Sequence, residues 1–170
     1  MEKLIITKEN RGQYENTEIV FAGHIELEAN LGWFKAGRFE VRGHIYAEAG
    51  TGIEAGGGIE AGRGIKADRG IKAGWGIKAG RGIEAGRGIK AGTGIEAGEC
   101  IEAGWGIEAG WGIEAGTGIE AKANISAEFR IFAGLIIWRL PTEAEQTITC
   151  RKLTSGTVAY GKLIEIAPAE

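Results

Sequence analysis

Two histidines and two cysteines are the side chains of this sequence best suited to acid–base, nucleophilic or metal chemistry. His24 and His44 each lie in a Gly-His-Ile context, 20 residues apart, whereas Cys100 and Cys150 form no Cys-x-x-Cys motif. A three-histidine zinc site would need a third His, and the chain has two. No nucleophile elbow or phosphate-binding Gly-Lys-Ser/Thr loop is present. We therefore expect no catalytic activity, no metal and no cofactor, and we interpret the histidines as a solvated pair in one surface column.

The charged side chains are more informative, because they are segregated along the chain. The basic band, residues 63–90, carries eight positive and two negative side chains, for a net charge of +6. The acidic band, residues 91–120, carries six Glu and no Lys or Arg, for a net charge of −6, although the whole chain has a net charge of −3. The candidate binding residues of the two bands are Arg63, Arg69, Arg81 and Arg87, and Glu96, Glu99, Glu102, Glu108 and Glu114.

Three tryptophans lie within these bands. Trp75, Trp105 and Trp111 each directly precede a Gly-Ile pair. Exposed Trp beside charge is typical of interface hot spots, so we expect a protein partner, with a basic nucleic-acid-binding groove facing the acidic band. The basic band predicts weak binding to a nucleic-acid backbone. The alternative is that the charges only keep the fold in solution and the indoles only cover the corners.

A repeat defines the elements that position these side chains. From residue 52 to residue 121 the chain repeats Gly-Ile-(Glu/Lys)-Ala-Gly-x in twelve units of six, and Gly accounts for 31 of the 170 residues. An even period keeps Ile and Ala on one side of a strand and Glu or Lys on the other. An α-helix is excluded, because six residues advance about 600° and the Ile side chains would drift around it. The repeat therefore predicts an all-β parallel solenoid with glycine corners.

The number of units in one coil is predicted from length and charge. Three units make a three-sided coil, whereas two units make a flat two-sided coil, a form that is usually held by disulfides. The Glu/Lys positions compared at a separation of 18 give five opposite and four like pairs, and at 12 they give four opposite and six like. Stacked strands prefer opposite neighbours. We therefore predict a three-sided parallel β-helix with three units in each coil, and its handedness is left open.

The regular repeats are flanked by less regular segments. We predict an N-terminal cap over residues 1–19, a β-helix over 20–125 and a C-terminal cap over 126–170 that is a candidate self-association element. Within the C-terminal cap, Thr142 and Glu145 have capping-box spacing. The N-terminus does not resemble a signal peptide, and no stretch approaches the ~18 apolar residues of a membrane span. These features predict a cytoplasmic protein with no membrane partner.

The arrangement of the repeat resembles that of hexapeptide-repeat solenoids, which include acyltransferases. In those proteins a small residue precedes the aliphatic residue by two positions, whereas here that position holds Thr51, Arg63, Arg69, Trp75 or Arg81. The resemblance covers roughly residues 20–125 and implies the architecture only. Bactofilin-like polymers are more similar, since Gly-x-(Ile/Val)-x-Ala recurs in them, and the regular Gly-Ile-Glu-Ala-Gly runs resemble proteins of unknown role in phages and mobile elements.

Three functions follow from these patterns and resemblances. The first is a non-catalytic macromolecule-binding solenoid, an anti-CRISPR-like inhibitor or nucleic-acid mimic from a phage or mobile element that blocks a host defence protein. The second is a bactofilin-like structural polymer or other homo-oligomer, assembled through the caps. The third is a hexapeptide acyltransferase, which the resemblance implies would need a trimer with a His between subunits. His24 and His44 both lie outside the regular array, so this third function is the least favoured.

Overall fold

The computed structural model describes residues 1–136 and 139–167, which form a parallel β-solenoid of about nine coils. Each regular coil contributes one strand to each of three faces. Face A is a nine-stranded sheet made of β1 (Lys3–Ile6), β3 (His24–Leu27), β6 (Ile45–Ala47), β9 (Ile65–Ala67), β12 (Ile83–Ala85), β15 (Ile101–Ala103), β18 (Ile119–Ala121), β20 (Thr147–Cys150) and β22 (Lys162–Glu165). The predicted all-β, three-sided parallel solenoid is confirmed.

Faces B and C belong to a second, 13-stranded parallel sheet that turns a corner. Face B holds β2 (Glu18–Phe21), β5 (Arg38–Val41), β8 (Ile59–Ala61), β11 (Ile77–Ala79), β14 (Ile95–Ala97) and β17 (Ile113–Ala115). Face C holds β4 (Gly32–Ala36), β7 (Thr51–Ala55), β10 (Ile71–Ala73), β13 (Ile89–Ala91) and β16 (Ile107–Ala109). The long strand β19 (Asn124–Ala133) joins the two faces, and β21 (Lys152–Tyr160) pairs with it.

The register between coils matches the predicted period. Within the repeats each residue lies beside its equivalent three units later, so that Ile71 lies beside Ile89 and Lys72 beside Lys90. Ile and Ala point inward and are buried along the whole array, while the residue between them points outward. The first coils are two residues longer, since Ile25 lies beside Ile45. The core is therefore one continuous column of mostly aliphatic side chains, joined in the N-terminal coils by the buried Phe34 and Phe39.

The glycine that follows Ala in most units is required by the close approach of neighbouring coils, and Ala67 is followed instead by Asp68. A Cβ on Gly74 would collide with the carbonyl oxygen of Gly56, and a Cβ on Gly92 would collide with that of Gly74. The main-chain N–H of Gly92 donates to the carbonyl of Ala73 in the preceding coil, at 3.0 Å. A side chain at Gly74 or Gly92 would force the coils apart, which explains why glycine recurs at this corner.

Both ends of the chain take part in the stacking. Within the segment predicted as the N-terminal cap, β1 pairs with β3 and a 3₁₀ turn spans Arg11–Gln13. At the other end, β20 and β22 extend face A, and a 3₁₀ turn over Ala144–Gln146 follows the Thr142–Glu145 hydrogen bonds expected of a capping box. Residues 137–138 and 168–170 of the predicted C-terminal cap lie outside the described residues. No helix in the described ranges has the length and apolar character needed to cross a bilayer.

Candidate protein-binding surface

The corners between the faces carry the arginines and tryptophans singled out in the sequence. Each corner residue donates its main-chain N–H to the carbonyl of the corner residue one coil before it, as Arg81 does to Arg63. Corner 1, before face A, holds Arg63, Arg81, Glu99 and Thr117; corner 2, before face C, holds Arg69, Arg87, Trp105 and Ala123; corner 3, before face B, holds Gly57, Trp75, Thr93, Trp111 and Phe129.

The basic band is split between two corners and interacts with the protein's own aromatic rings. Arg69 lies over the ring of Trp33, with its guanidinium carbon 5.9 Å from the centroid, and the ammonium of Lys72 lies 4.5 Å from the same ring. Trp33 was not among the predicted site residues, because it precedes the regular repeats. Arg69, which was predicted to bind a partner, and Lys72 therefore already form cation–π contacts with a ring of the same chain.

Two glutamates of the acidic band form ion pairs with lysines of the same chain. Lys78 pairs with Glu96, and Lys90 pairs with Glu108, both at 2.8 Å. Each lysine precedes its glutamate by one coil and lies on the outward position of the strand directly beside it. The sequence places no Lys or Arg inside residues 91–120, but stacking of the coils brings in the lysines of the preceding coil. Exposed pairs of this kind contribute about 0–1 kcal/mol each.

Four carboxylates of the acidic band have no such partner. Within the part of the chain that the structure describes, no Lys, Arg or His nitrogen forms an ion pair with them; they are Glu99, Glu102, Glu114 and Glu120, all exposed. Glu102 and Glu120 lie on neighbouring strands of face A, side by side with Glu84. Like charges in this position repel each other. The part of face A formed by β15 and β18 therefore carries unpaired negative charge.

The tryptophans occupy exposed corner positions, and two of them differ in their surroundings. Trp105 is 62% exposed and Trp111 is 59% exposed, and they lie on the two corners that flank β16. The guanidinium carbon of Arg87, one coil before, lies 5.5 Å from the ring centroid of Trp105. The corner residues on either side of Trp111 are Thr93 and Phe129. No cation–π contact is formed by Trp111 with the described residues.

A groove of about 780 Å³ runs along face B beside corner 3. It brings together two of the predicted tryptophans, two of the predicted glutamates and an aromatic residue that the prediction omitted: Trp75, Trp111, Glu96, Glu114 and Phe129. Three basic side chains, Arg38, Lys78 and Arg130, also line it. Phe129 is 61% exposed and stands two residues before Ile131, the same phase as the tryptophans. Continuing the phase of the repeat beyond residue 121 would have identified it. Glu99, on corner 1, and Glu102, on face A, instead line a groove of face A.

The two histidines form a stacked column on face A. Their ring centroids lie 5.2 Å apart with an interplanar angle of 18°. The Nδ1 of His24 accepts the main-chain N–H of His44 at 3.0 Å, and the Nδ1 of His44 accepts that of Gly64 at 3.1 Å. Burial, helped by the neighbouring His24, Arg63 and Arg81, lowers the pKa of His44. The pair was expected to be solvated, whereas both rings are half-buried and bind the backbone of the next coil.

The two cysteines are unpaired and poor nucleophiles. Burial, with the nearby carboxylate of Glu102, raises the pKa of the half-buried Cys100 to about 11. Burial also raises the pKa of Cys150, which lies in the core. Nucleophilic and metal-binding cysteines act as thiolates, so neither environment favours that chemistry. Within residues 1–136 and 139–167, no three His, Cys, Asp or Glu side chains come together as candidate metal ligands.

Comparisons with protein-family models, with curated proteins and with solved structures give no match to this chain. The resemblance to phage and bactofilin-like proteins therefore gains no support from them. The fold and the arrangement of its surface are the basis for assigning a function.

Proposed function

We propose that this chain is a non-catalytic protein-binding solenoid whose acidic band and exposed tryptophans engage a basic surface of a partner. The observation that carries the proposal is the environment of Trp111 and Glu114. Both are exposed, both line the groove of face B, and neither has a cationic partner among the described residues. A large exposed indole beside an unpaired carboxylate is suited to an arginine or lysine of another molecule.

The adjacent corner provides an internal template for this contact. There the chain supplies the cations itself, because Arg87 lies over Trp105 and Lys90 pairs with Glu108. One corner further, Thr93 takes the place of the arginine beneath Trp111, and Glu96 lies beneath Glu114 in place of a lysine. Trp111 and Glu114 thus repeat the arrangement of Trp105 and Glu108, but without the arginine and lysine that contact the first pair.

The excess of negative charge in the acidic band favours a partner that binds nucleic acid. Residues 91–120 carry six Glu and no Lys or Arg, and four of these carboxylates form no ion pair with the described residues: Glu99, Glu102 and Glu120 at face A, and Glu114 on face B. A partner that covers negative charge on two faces needs a basic groove, which is typical of proteins that bind the nucleic-acid backbone. We propose an anti-CRISPR-like inhibitor from a phage or mobile element, which acts in the cytoplasm by occupying the groove of a defence nuclease.

Affinity capture from bacterial lysate, followed by mass spectrometry, tests this function. We expect a basic, nucleic-acid-binding protein that is eluted by salt and by competing DNA. Its binding to DNA should fall as this protein is added. Recovery of this chain alone at low salt, or of partners that DNA does not displace, would contradict the proposal.

A structural polymer is the alternative, and the open sheet edges favour it. In the described part of face A, β1 pairs only with β3 and β22 pairs only with β20, so both end strands have a free edge. Such edges can pair with another copy of the chain. However, the carboxylate of Glu165 accepts the main-chain N–H of Leu153 at 2.8 Å and satisfies one donor at that end. Negative-stain microscopy and light scattering separate the two: filaments support the polymer, whereas short particles of fixed mass oppose it.

A further inference from the structure

A groove of about 490 Å³ lies along face C, separate from the groove of face B that contains Trp111. Its floor is the column of residues that precede the strands of this face, with one residue in each coil. Pairing of the strands places these residues in the order Trp33, Gly52, Gly70, Gly88, Gly106 and Asn124. Four successive coils therefore have no side chain on the floor.

The chain fills half of this floor with an indole of its own. A Cβ built on Gly52 would lie 2.8 Å from Cε3 of Trp33, and one built on Gly70 would lie 3.0 Å from Cη2 of the same ring. Arg69 and Lys72 form the cation–π contacts to this ring that are described above. One bicyclic ring therefore spans two layers of glycine, with an arginine of corner 2 and a lysine of face C beside it.

The other half of the floor is bare. Among the described residues, a Cβ built on Gly88 would have one neighbour within 4 Å, the carbonyl oxygen of Gly106 at 3.2 Å. Arg87 and Lys90 lie beside this part of the floor, in the positions that the cations around Trp33 occupy one coil earlier. The bare floor is also two layers long, so a second bicyclic ring fits the same arrangement of backbone and cations.

The side chains around the bare floor carry a net positive charge. The charged residues that line the groove are Lys72, Arg87, Lys90 and Glu108. Lys90 and Glu108 pair with each other at 2.8 Å, whereas Lys72 and Arg87 form no ion pair with the residues that the structure describes. The guanidinium of Arg87 lies over Trp105, a contact that uses the face of the group and leaves the N–H donors at its edge available. An anionic group therefore fits between these two unpaired cations.

We propose that the groove of face C binds a purine nucleotide, with the base over Gly88 and Gly106 and the phosphate bound by the two unpaired cations. A purine is bicyclic, like the indole of Trp33, and spans two layers of glycine in the same way. Aromatic side chains beside the base and cations on the phosphate are also how single-strand binding proteins hold a nucleotide.

The remaining features of the groove suit the same ligand. Its volume is within the range of small-molecule sites, about 300–1,000 Å³. Trp105 forms one wall beside the base, and uncharged side chains with hydrogen-bonding groups for the base edge line the groove: Asn124, Ser126 and Thr154. This site does not depend on the partner proposed above, since Trp111 and Glu114 line the groove of face B. Loss of partner capture would leave it unaffected.

Isothermal titration calorimetry with AMP, adenosine, inorganic phosphate and CMP tests the site. We expect AMP to bind more tightly than adenosine or phosphate, with amide shifts at Gly88 and Gly106 in NMR spectra. CMP should bind more weakly than AMP, because its single ring covers one layer of the floor. A 5′-phosphorylated oligoadenylate distinguishes the two sources of the nucleotide: tighter binding than AMP identifies a nucleic-acid strand, and binding that is no tighter identifies the free nucleotide.

The variant Gly88→Leu fills the bare floor and should weaken AMP binding by about tenfold or more. The matched control is Gly94→Leu, at the equivalent position of face B, where a Cβ would lie 3.5 Å from the carbonyl oxygen of Gly112. This control should bind AMP as the unaltered protein does. Thermal melting of each variant confirms folding, and the amide shifts of the unaltered protein test the site without any variant.

The double variant Lys72→Gln with Arg87→Gln separates base from phosphate recognition. It should reduce AMP binding to the level of adenosine and leave adenosine binding unchanged. Its control, Arg63→Gln with Arg81→Gln, removes the same charge from corner 1 and should keep AMP binding.

Four results would overturn the proposal. They are an unaltered protein that does not bind AMP, phosphate or CMP that binds as tightly as AMP, equal AMP binding by Gly88→Leu and Gly94→Leu, and equal AMP binding by the two double variants.

Discussion

His24 and His44 lie 20 residues apart in the chain and stack face to face, with ring centroids 5.2 Å apart. Each uses its Nδ1 to accept a main-chain N–H of the following coil, from His44 and Gly64 respectively. A ring nitrogen accepts a hydrogen bond only while it is unprotonated. Three coils are therefore connected through two imidazoles, and the contact of His44 with Gly64 needs an unprotonated Nδ1.

The protein should lose stability in acid through His44. Its pKa is lowered in the folded state from the ordinary value of 6.5, so the unfolded chain binds more protons between the two values. This contribution is present above pH 6.5 and is lost as the pH falls through the folded-state pKa. His44→Asn keeps an acceptor for Gly64 but does not titrate. Thermal melting from about pH 7.5 to 5 should show a smaller decline for the variant, and equal declines would contradict the role of His44.

Much of the fold could be predicted because every unit of the repeat has the same length and the same order of residue types. The even period fixes the inward and outward residues, and the preference for opposite charges on stacked strands favours three units per coil over two. The longer coils at the N-terminal end could not be predicted in this way. Their extra residues form one turn in each coil, with positive φ at Asn30 in the first and at Gly50 in the next. The buried hydroxyl of Thr51 joins the two turns, because it accepts from the N–H of Leu31 and donates to the carbonyl of Glu28. These contacts join residues outside any repeat.

Ile89→Asp should unfold or aggregate the protein. Ile89 is 1% exposed and lies between Ile71 and Ile107 in the core column, where a carboxylate has no partner and no water. The expected loss is several kcal/mol, a large part of the stability of a domain. The control is Lys90→Asp, which puts the same carboxylate on the outer side of the same strand. Circular dichroism melting should show a small change for the control, and a soluble Ile89→Asp protein with unchanged melting would refute the inward assignment.

Cys100 should react slowly with alkylating reagents although it is only half-buried. With a pKa of about 11, its thiolate fraction at neutral pH is about a hundredfold below that of a free cysteine. Glu102→Gln removes a charge that raises this pKa and should speed the reaction. Timed alkylation with mass spectrometry of the peptide measures both rates. Fast labelling of the unaltered protein would show that the thiol is less shielded than the structure indicates.

The basic band should bind nucleic acid only at low salt. Arg63 and Arg81 lie on one corner and Arg69 and Arg87 on another, and the last two also interact with tryptophan rings. Four phosphate contacts would give a logarithmic salt dependence of about −4, which removes most affinity at physiological ionic strength. Mobility shifts that persist at physiological salt would make nucleic-acid binding the favoured function.

The candidate surface was less predictable than the fold, because its contacts connect residues of different coils. The sequence places Trp105 and Trp111 in equivalent positions, one unit apart, with glutamates around both. Stacking gives Trp105 the arginine of the preceding coil and gives Trp111 a threonine. The corner residue one coil earlier determines whether an indole is covered by a cation. Identifying that residue from the sequence requires the number of residues per coil.

Replacing both tryptophans by alanine should leave the melting temperature nearly unchanged and abolish capture of the partner. Both indoles are exposed at corners, where substitutions usually change the free energy of unfolding by less than about 0.5 kcal/mol. The single variants should differ. Trp111→Ala removes the free indole beside Glu114 and should abolish capture by itself, whereas Trp105→Ala removes an indole already covered by Arg87 and should keep most of it. Affinity capture and differential scanning calorimetry measure the two effects. Lower stability with intact capture would mean that the indoles are structural, and the interface would then have to lie elsewhere on the solenoid.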